Sequence, residues 1–266
     1  MPTTHPTPAT RVRRRTSPSQ VAGEVLLTLG VLLLLFAFYE AFWTNLASAT
    51  LQNDAQETLE QQWVNPRTTT TPELGDAFAR MYIPVFGSDY QFAIIEGVDE
   101  EELLAGPGRY PDTQMPGQPG NFAVAGHRVG KGAPFNDLGK LNTCDAIVVE
   151  RQTQWVTYRV LPMSGDPAER AREAAPCLGG GQADRVVGGD YSGVHGRHIT
   201  LPNDVSVLNP VPGTGTTEVA PGAEGIMTLT TCHPQFSNAE RMIIHAIQTE
   251  VLNKAGGPPS AMTEVS

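Results

Sequence analysis

The feature that most constrains this chain is an apolar run near its start, "VAGEVLLTLGVLLLLFAFYEAFW" from Val21 to Trp43, interrupted by Glu24, Thr28 and Glu40. About 20 such residues cross a bilayer core as one helix. Arg11, Arg13, Arg14 and Arg15 precede the run with no acid among residues 1–20. The positive-inside rule therefore keeps the N-terminus cytoplasmic and exports the rest. Tyr39, Phe42 and Trp43 fall at the outer interface, and the helix is expected to contact membrane lipid. Ala47-Ser48-Ala49 also offers an A-x-A-like cleavage site, so a removed signal peptide is the alternative. The length of the run and its aromatic end favour an anchor.

The flanks of this span differ in texture. Residues 1–20, rich in Thr, Pro and Arg, read as a cytoplasmic tail, and 44–75 as an extracytoplasmic stalk that begins helix-compatible and ends in a Thr/Pro linker. From about Asp76 to 252 the chain becomes short β-prone runs between Gly/Pro turns: 79–85, 91–97, 121–127, 145–151, 155–161, 226–232 and 241–251. The runs at 145–151 and 155–161, joined by "QTQ", predict a hairpin. Helical pieces fit 99–106 and 135–141. Many short strands with few helices predict an all-β barrel or sandwich. Residues 164–198 form a long Gly-rich insertion with a helix-like start, and 253–266 a flexible C-terminal tail.

The formal charge is −10, and the four N-terminal arginines leave the remainder at −14. An acidic body with scattered arginines excludes a nucleic-acid partner, which needs a concentrated basic face. The acids form no calcium loop, and Cys232, His233 and His245 lack zinc-ligand spacing, so neither metal nor cofactor is expected.

Exported cysteines normally pair. Three are present, Cys144, Cys177 and Cys232, so within one chain at least one stays free. Cys232 ends the run "IMTLTTC". An unperturbed thiol is only about 3% thiolate at pH 7, so a reactive one needs a base or cation beside it. Arg241, nine positions on, opens the next strand and meets Cys232 if the two strands are neighbours. A guanidinium there can lower the thiol pKa or bind an oxyanion; a surface ion pair is the plainer reading. His127 follows an apolar strand and precedes a Gly-rich turn, but spacing alone does not rank it above His195, His198, His233 or His245.

Three segments in order break that tie. "TLTTC" resembles the sortase signature Thr-Leu-x-Thr-Cys with an arginine on the following strand, and "NFAVAGH" resembles the sortase histidine segment. "AGHRVGKGAPFNDLGKL" and "TLTTCHPQFSNAERMIIHA" are most similar to class E sortases of high-GC Gram-positive bacteria, with class D the near neighbour. Further likeness runs through "GPGRYPDTQMPGQPGN" and "NDVSVLNPVPG". The resemblance implies a closed eight-stranded β-barrel of the sortase type, with Cys232 as nucleophile, His127 as general acid/base and Arg241 as oxyanion or substrate ligand. It implies transpeptidation without a cofactor. The thiol cleaves an LAxTG- or LPxTG-like sorting signal of a surface protein between Thr and Gly, and an amine of a peptidoglycan precursor resolves the thioester. Thr231 and Tyr110 are candidate substrate contacts; strand packing and a surface turn explain them equally well. The insertion at 164–198 departs from the family pattern. If Cys232 stays free, Cys144 and Cys177 are available to pair; a free Cys144 buried before its strand is the alternative. A thiol endopeptidase using water and a non-catalytic wall-binding domain are the competing functions.

Overall fold

The computed structural model describes residues 17–64 and 71–264. Most of the N-terminal tail, the Thr/Pro linker at 65–70 and the last two residues lie outside the described residues.

The chain divides into two compact units, Met1–Trp43 and Thr44–Ser266. In the first, helix α1 spans Pro18–Phe38 and passes into a π-helical turn, Tyr39–Trp43. Pro18 opens α1, and the Ser17 side chain accepts the Gln20 N–H, satisfying one of the amides a helix start leaves open. With 21 residues, a mean hydropathy of 2.4 and no buried residue in the span, α1 is long and apolar enough to cross a membrane.

The second unit is a sheet of nine strands in the order β6-β5-β1-β2-β3-β4-β8-β9-β7, closed by a further β6–β9 pairing. The strands are β1 Ala77–Tyr82, β2 Gln91–Glu96, β3 Gly108–Arg109, β4 Gly120–Ala125, β5 Ala146–Glu150, β6 Gln154–Val160, β7 Arg197–Thr200, β8 Gly225–His233 and β9 Glu240–Asn253. Eight of them form the expected closed barrel. The ninth, β7, pairs with the first part of β9, while β6 pairs with the rest. The expected hairpin is β5–β6. Strands β4 and β8 run parallel, β8 and β9 antiparallel.

Alternation along these strands sets the core. Phe122 and Val124 of β4, Met227 and Leu229 of β8, and Met242, Ile244 and Ala246 of β9 point inward with Met81, Ile147 and Tyr158. The intervening residues face outward. Strand β3, absent from the sequence-based expectation, is two residues long and opens with Gly108, where a Cβ would sit 2.0 Å from the Gly97 carbonyl oxygen.

Three segments carry more structure than their composition suggests. Residues 44–63 of the expected stalk form α2, Thr44–Trp63, in the same unit as the barrel. Leu59 is fully buried among Ala77, Ala93 and Ile95, and the Gln52 amide accepts from Ala93 N–H at 2.9 Å. The helical piece expected at 99–106 is α3, Glu100–Ala105, and the insertion folds into α4, Pro167–Ala174, and α5, Gly180–Val187. Its side chains Ala174, Leu178, Val186, Tyr191 and Val194 pack on Leu161, Ile226 and Ile247 as a second small core. Buried Arg170 holds this region by donating to the carbonyls of Ser164, Val186 and Val194. Cys144 and Cys177 form a disulfide with a Cα–Cα distance of 5.6 Å, tying the insertion to the barrel. At the C-terminus, Ala261 is buried against Ala146, Val148 and Trp155, and Arg159 pairs with Glu264, so this tail is docked rather than flexible over its described part.

Candidate active site

Strand register assembles the site. Ala125 pairs with Thr230, and Gly126 N–H donates to the Thr230 carbonyl at 3.1 Å. One more step of this parallel register sets His127 beside Cys232 on the outer face of the barrel. On the other flank, Cys232 and Arg241 are direct partners in the β8–β9 ladder. Directly opposed residues share a face. Cys232 therefore lies between His127, two residues past the end of β4, and Arg241 of β9.

His127, Arg128, Val129, Cys232, Phe236, Ser237 and Asn238 line one open groove of about 460 Å³. Cys232 is the free cysteine, half-buried, while the other two are bridged. Phe236, 87% exposed, forms an apolar rim. Arg241 itself is not among the residues lining this groove; its Nη1 donates to the carbonyls of Asn238 at 3.1 Å and Glu240 at 3.0 Å. Among the described residues its Nε and Nη2 make no hydrogen bond.

The His127 imidazole is shifted towards neutrality. Burial is the main cause, the Lys131 ammonium adds to it, and Glu100 partly opposes it. Its Nε2 is buried with no hydrogen-bond partner among the described residues. A neutral imidazole with a free nitrogen at the mouth of a thiol groove is equipped to take a proton. The loop that follows is left-handed at Gly130, Lys131, Gly132 and Ala133. It is pinned by Gly132 N–H on Asn45 Oδ1 at 3.0 Å and by Lys131 on Glu100 at 2.8 Å.

The two candidate substrate contacts separate. Thr231 is buried, faces away from Cys232 and donates its hydroxyl to the Gly126 carbonyl at 2.7 Å. It does not line the groove; it ties the histidine strand to the cysteine strand. Tyr110 is half-buried, with its hydroxyl 3.0 Å from that of Thr230, which shares the outer face with Cys232. It lines a neighbouring cavity with Asp112, Val205 and Asn209.

His233 and His245, which follow on the same hairpin, differ in their surroundings. His233 Nδ1 lies 2.8 Å from Arg128 Nη1. His245 is wholly buried, with Nδ1 2.9 Å from Thr228 Oγ1. The Thr228 hydroxyl donates to Asn121 Oδ1, whose amide nitrogen is committed to the carbonyls of Val207 and Asn209. His245 Nδ1–H is therefore the donor to Thr228. Burial, reinforced by His198 and His195, pushes the His245 pKa down to about 3. It is a structural histidine, and replacing it disturbs the network it donates to. Among the described residues no group of three His, Cys, Asp or Glu could hold a metal.

Residues 81–249 match the family model described as Sortase domain. The chain belongs to the sortase family. It is 32% identical over 255 residues to the curated sortase SrtE1 of Streptomyces coelicolor, covering 92% of this chain and 61% of that protein. It thus spans about three-fifths of the length of that relative. Among solved structures, the SrtF sortase from Corynebacterium diphtheriae is 62% identical, with a TM-score of 0.73, over 75% of this chain and 98% of that one. Sortase E1 from Streptomyces coelicolor, solved with a tripeptide in the active site, is 28% identical, with a TM-score of 0.53, over 72% and 99% of the two chains. The class E likeness read from the motifs agrees with the sortase E relatives from Streptomyces coelicolor.

One further site residue of this sortase was not singled out by sequence reasoning. Arg128, directly after His127, lines the groove and donates through Nη1 to the Cys232 carbonyl at 3.3 Å. Its place next to the histidine was the available signal.

Proposed function

We propose that this chain is a membrane-anchored sortase that joins surface proteins bearing LAxTG- or LPxTG-like signals to an amine of a cell-wall precursor. The observation that carries the reading is the convergence of His127 and the free Cys232 on one groove, with Arg241 as the cross-strand partner of the cysteine.

The chemistry follows from that arrangement. Cys232 Sγ attacks the threonine carbonyl of the signal, its proton passing to His127, and the carbonyl oxygen becomes an oxyanion. The uncommitted Nε and Nη2 of Arg241 are suited to stabilise that charge. Collapse breaks the Thr–Gly bond; the departing glycine amine takes the proton from His127, leaving a thioester on Cys232. The acceptor amine then attacks the thioester, His127 takes its proton, and the thiol is restored. Tyr110 is suited to contact the signal along the same outer face, while Thr231 acts through the strand pairing. The exposed, apolar α1 supports a single-pass anchor with the arginine-rich tail cytoplasmic and the barrel outside.

The test is the full-length chain in detergent, given an LAxTG peptide and a glycine-peptide amine. The reading predicts a ligated product, absent in Cys232→Ala and His127→Ala and slowed roughly 10²–10³-fold in Arg241→Ala. Hydrolysis that added amine never diverts would instead identify a thiol endopeptidase.

A further inference from the structure

A second groove, of about 610 Å³, opens beside the hairpin loop. Its lining includes Arg128, Asn136, Lys140, Arg197, His233 and Gln235. Strand register places it across the sheet from the nucleophile: Arg197 pairs with Ile244 and Ile199 with Met242, whose side chains lie on the face opposite Cys232.

Charge pairing elsewhere makes this groove unusual. Arg80, Arg109, Arg159, Arg172 and Arg185 each meet a carboxylate. Among the described residues, Arg128, Arg151, Arg170, Arg197 and Arg241 form no recorded ion pair. Arg170 and Arg151 are committed to backbone carbonyls, the latter to Pro116 at 3.1 Å. The remaining three surround the β8–β9 hairpin, Arg241 on the Cys232 side and Arg128 and Arg197 on the other.

The one carboxylate lining the second groove, Asp137, is engaged by Lys140 at 3.0 Å. Two guanidinium charges are left uncompensated in a chain of formal charge −10. Each is anchored through Nη1. Arg197 Nη1 is held on the Gly139 carbonyl. Arg128 is fixed on Cys232 O and His233 Nδ1, and its Nε is buried without a partner. Pre-positioned guanidinium forks match carboxylate and phosphate oxygens. Arg128 also lines the nucleophile's groove, so an anion held here sits next to the strand end that carries the acyl group.

We infer that this groove binds an anionic group, carboxylate or phosphate, of the amine acceptor, and so favours anionic acceptors in the second half-reaction. The acceptor role rests on the transpeptidase reading above; the anion site itself does not.

The test uses the full-length chain in detergent with Arg197→Gln and Arg197→Lys, since Arg197 touches neither Cys232 nor His127. Acceptors are compared in pairs: triglycine against triglycine amide, and aminoethyl phosphate against ethanolamine. Wild type is expected to prefer the anionic member of at least one pair, and the preferred pair distinguishes carboxylate from phosphate. Arg197→Gln should lower kcat/KM for that acceptor on the order of 10-fold, through KM, the scale of one charge-assisted hydrogen bond. Neutral acceptors and acyl-enzyme formation should be unchanged, and Arg197→Lys should recover part of the loss. No anionic preference in wild type, or equal slowing of neutral and anionic acceptors by Arg197→Gln, overturns the inference. Calorimetric titration with inorganic pyrophosphate and with succinate reads the groove without turnover. Binding of either that Arg197→Gln weakens supports the site, and binding of neither, or binding that the variant leaves unchanged, contradicts it. Failure to form an acyl-enzyme is scored separately and counts against the transpeptidase reading alone.

Discussion

Thr231 Oγ1 donates to the Gly126 carbonyl at 2.7 Å, so the residue before the nucleophile holds the residue before the histidine. Thr231→Val keeps the shape and removes the donor. A net hydrogen bond contributes about 0.5–1.5 kcal/mol, so up to roughly 10-fold of kcat should be lost with KM little changed. Steady-state kinetics check this; a rise in KM alone would return Thr231 to substrate contact.

The His127 shift sets the acid limb of activity. Burial and the Lys131 ammonium both hold this imidazole below its ordinary value of about 6.5. The base form therefore persists below that pH. Lys131→Met removes a repelling charge and frees Glu100 from its ion pair, and both changes favour the protonated ring. The acid limb of the kcat/KM–pH profile should move to higher pH. A move to lower pH, or none, would contradict the assignment.

His245 makes a separate prediction about stability. Its folded pKa of about 3 lies below the unfolded value, so as pH falls below about 6.5 the unfolded chain binds a proton that the native chain does not. Stability is lost on acidification across the window from 6.5 towards 3. His198, also lowered chiefly by burial, acts in the same sense. His245→Gln should flatten the dependence of the melting temperature on pH in this window while lowering stability near neutrality, because the Thr228–Asn121 network loses its donor geometry. Melts between pH 4 and 8 compare the two proteins.

The Cys144–Cys177 bridge closes a sequence separation of 33 residues. Chain-entropy bookkeeping gives about 3–4 kcal/mol for a loop of that length. Replacing both by serine should lower unfolding stability by that order while leaving acyl-enzyme formation at Cys232 intact. Thiol counting of the denatured, unreduced wild type should find one free group; three would contradict the bridge.

Seven of the nine strands were legible because each is a short apolar, β-prone run set off by turn or polar residues. Strand β3 was not, being two residues long, and β7 was not, because its exposed edge residues show no apolar alternation. The Gly-rich stretch concealed α5, whose packing on Tyr191 and Ile247 depends on residues distant in sequence. In the site, motifs named Cys232, His127 and Arg241, but not side-chain direction. Strand alternation alone would have turned Thr231 away from the groove once Cys232 faced it. The burial of His245 beneath Val207 and Asn209 follows from tertiary structure that no local pattern reveals.

If Cys232, served by His127, carries an acyl group from a sorting signal, a covalent acyl-enzyme must form in the absence of an acceptor. The most direct measurement is intact-protein mass spectrometry of the full-length chain mixed with an LAxTG peptide and no amine. An adduct with the mass of the peptide acyl fragment ending at threonine is expected. It should map to Cys232, be absent in Cys232→Ala, and be discharged by added hydroxylamine. Peptide cleavage at wild-type rate in Cys232→Ala, or an adduct on any other residue, would contradict this role for Cys232.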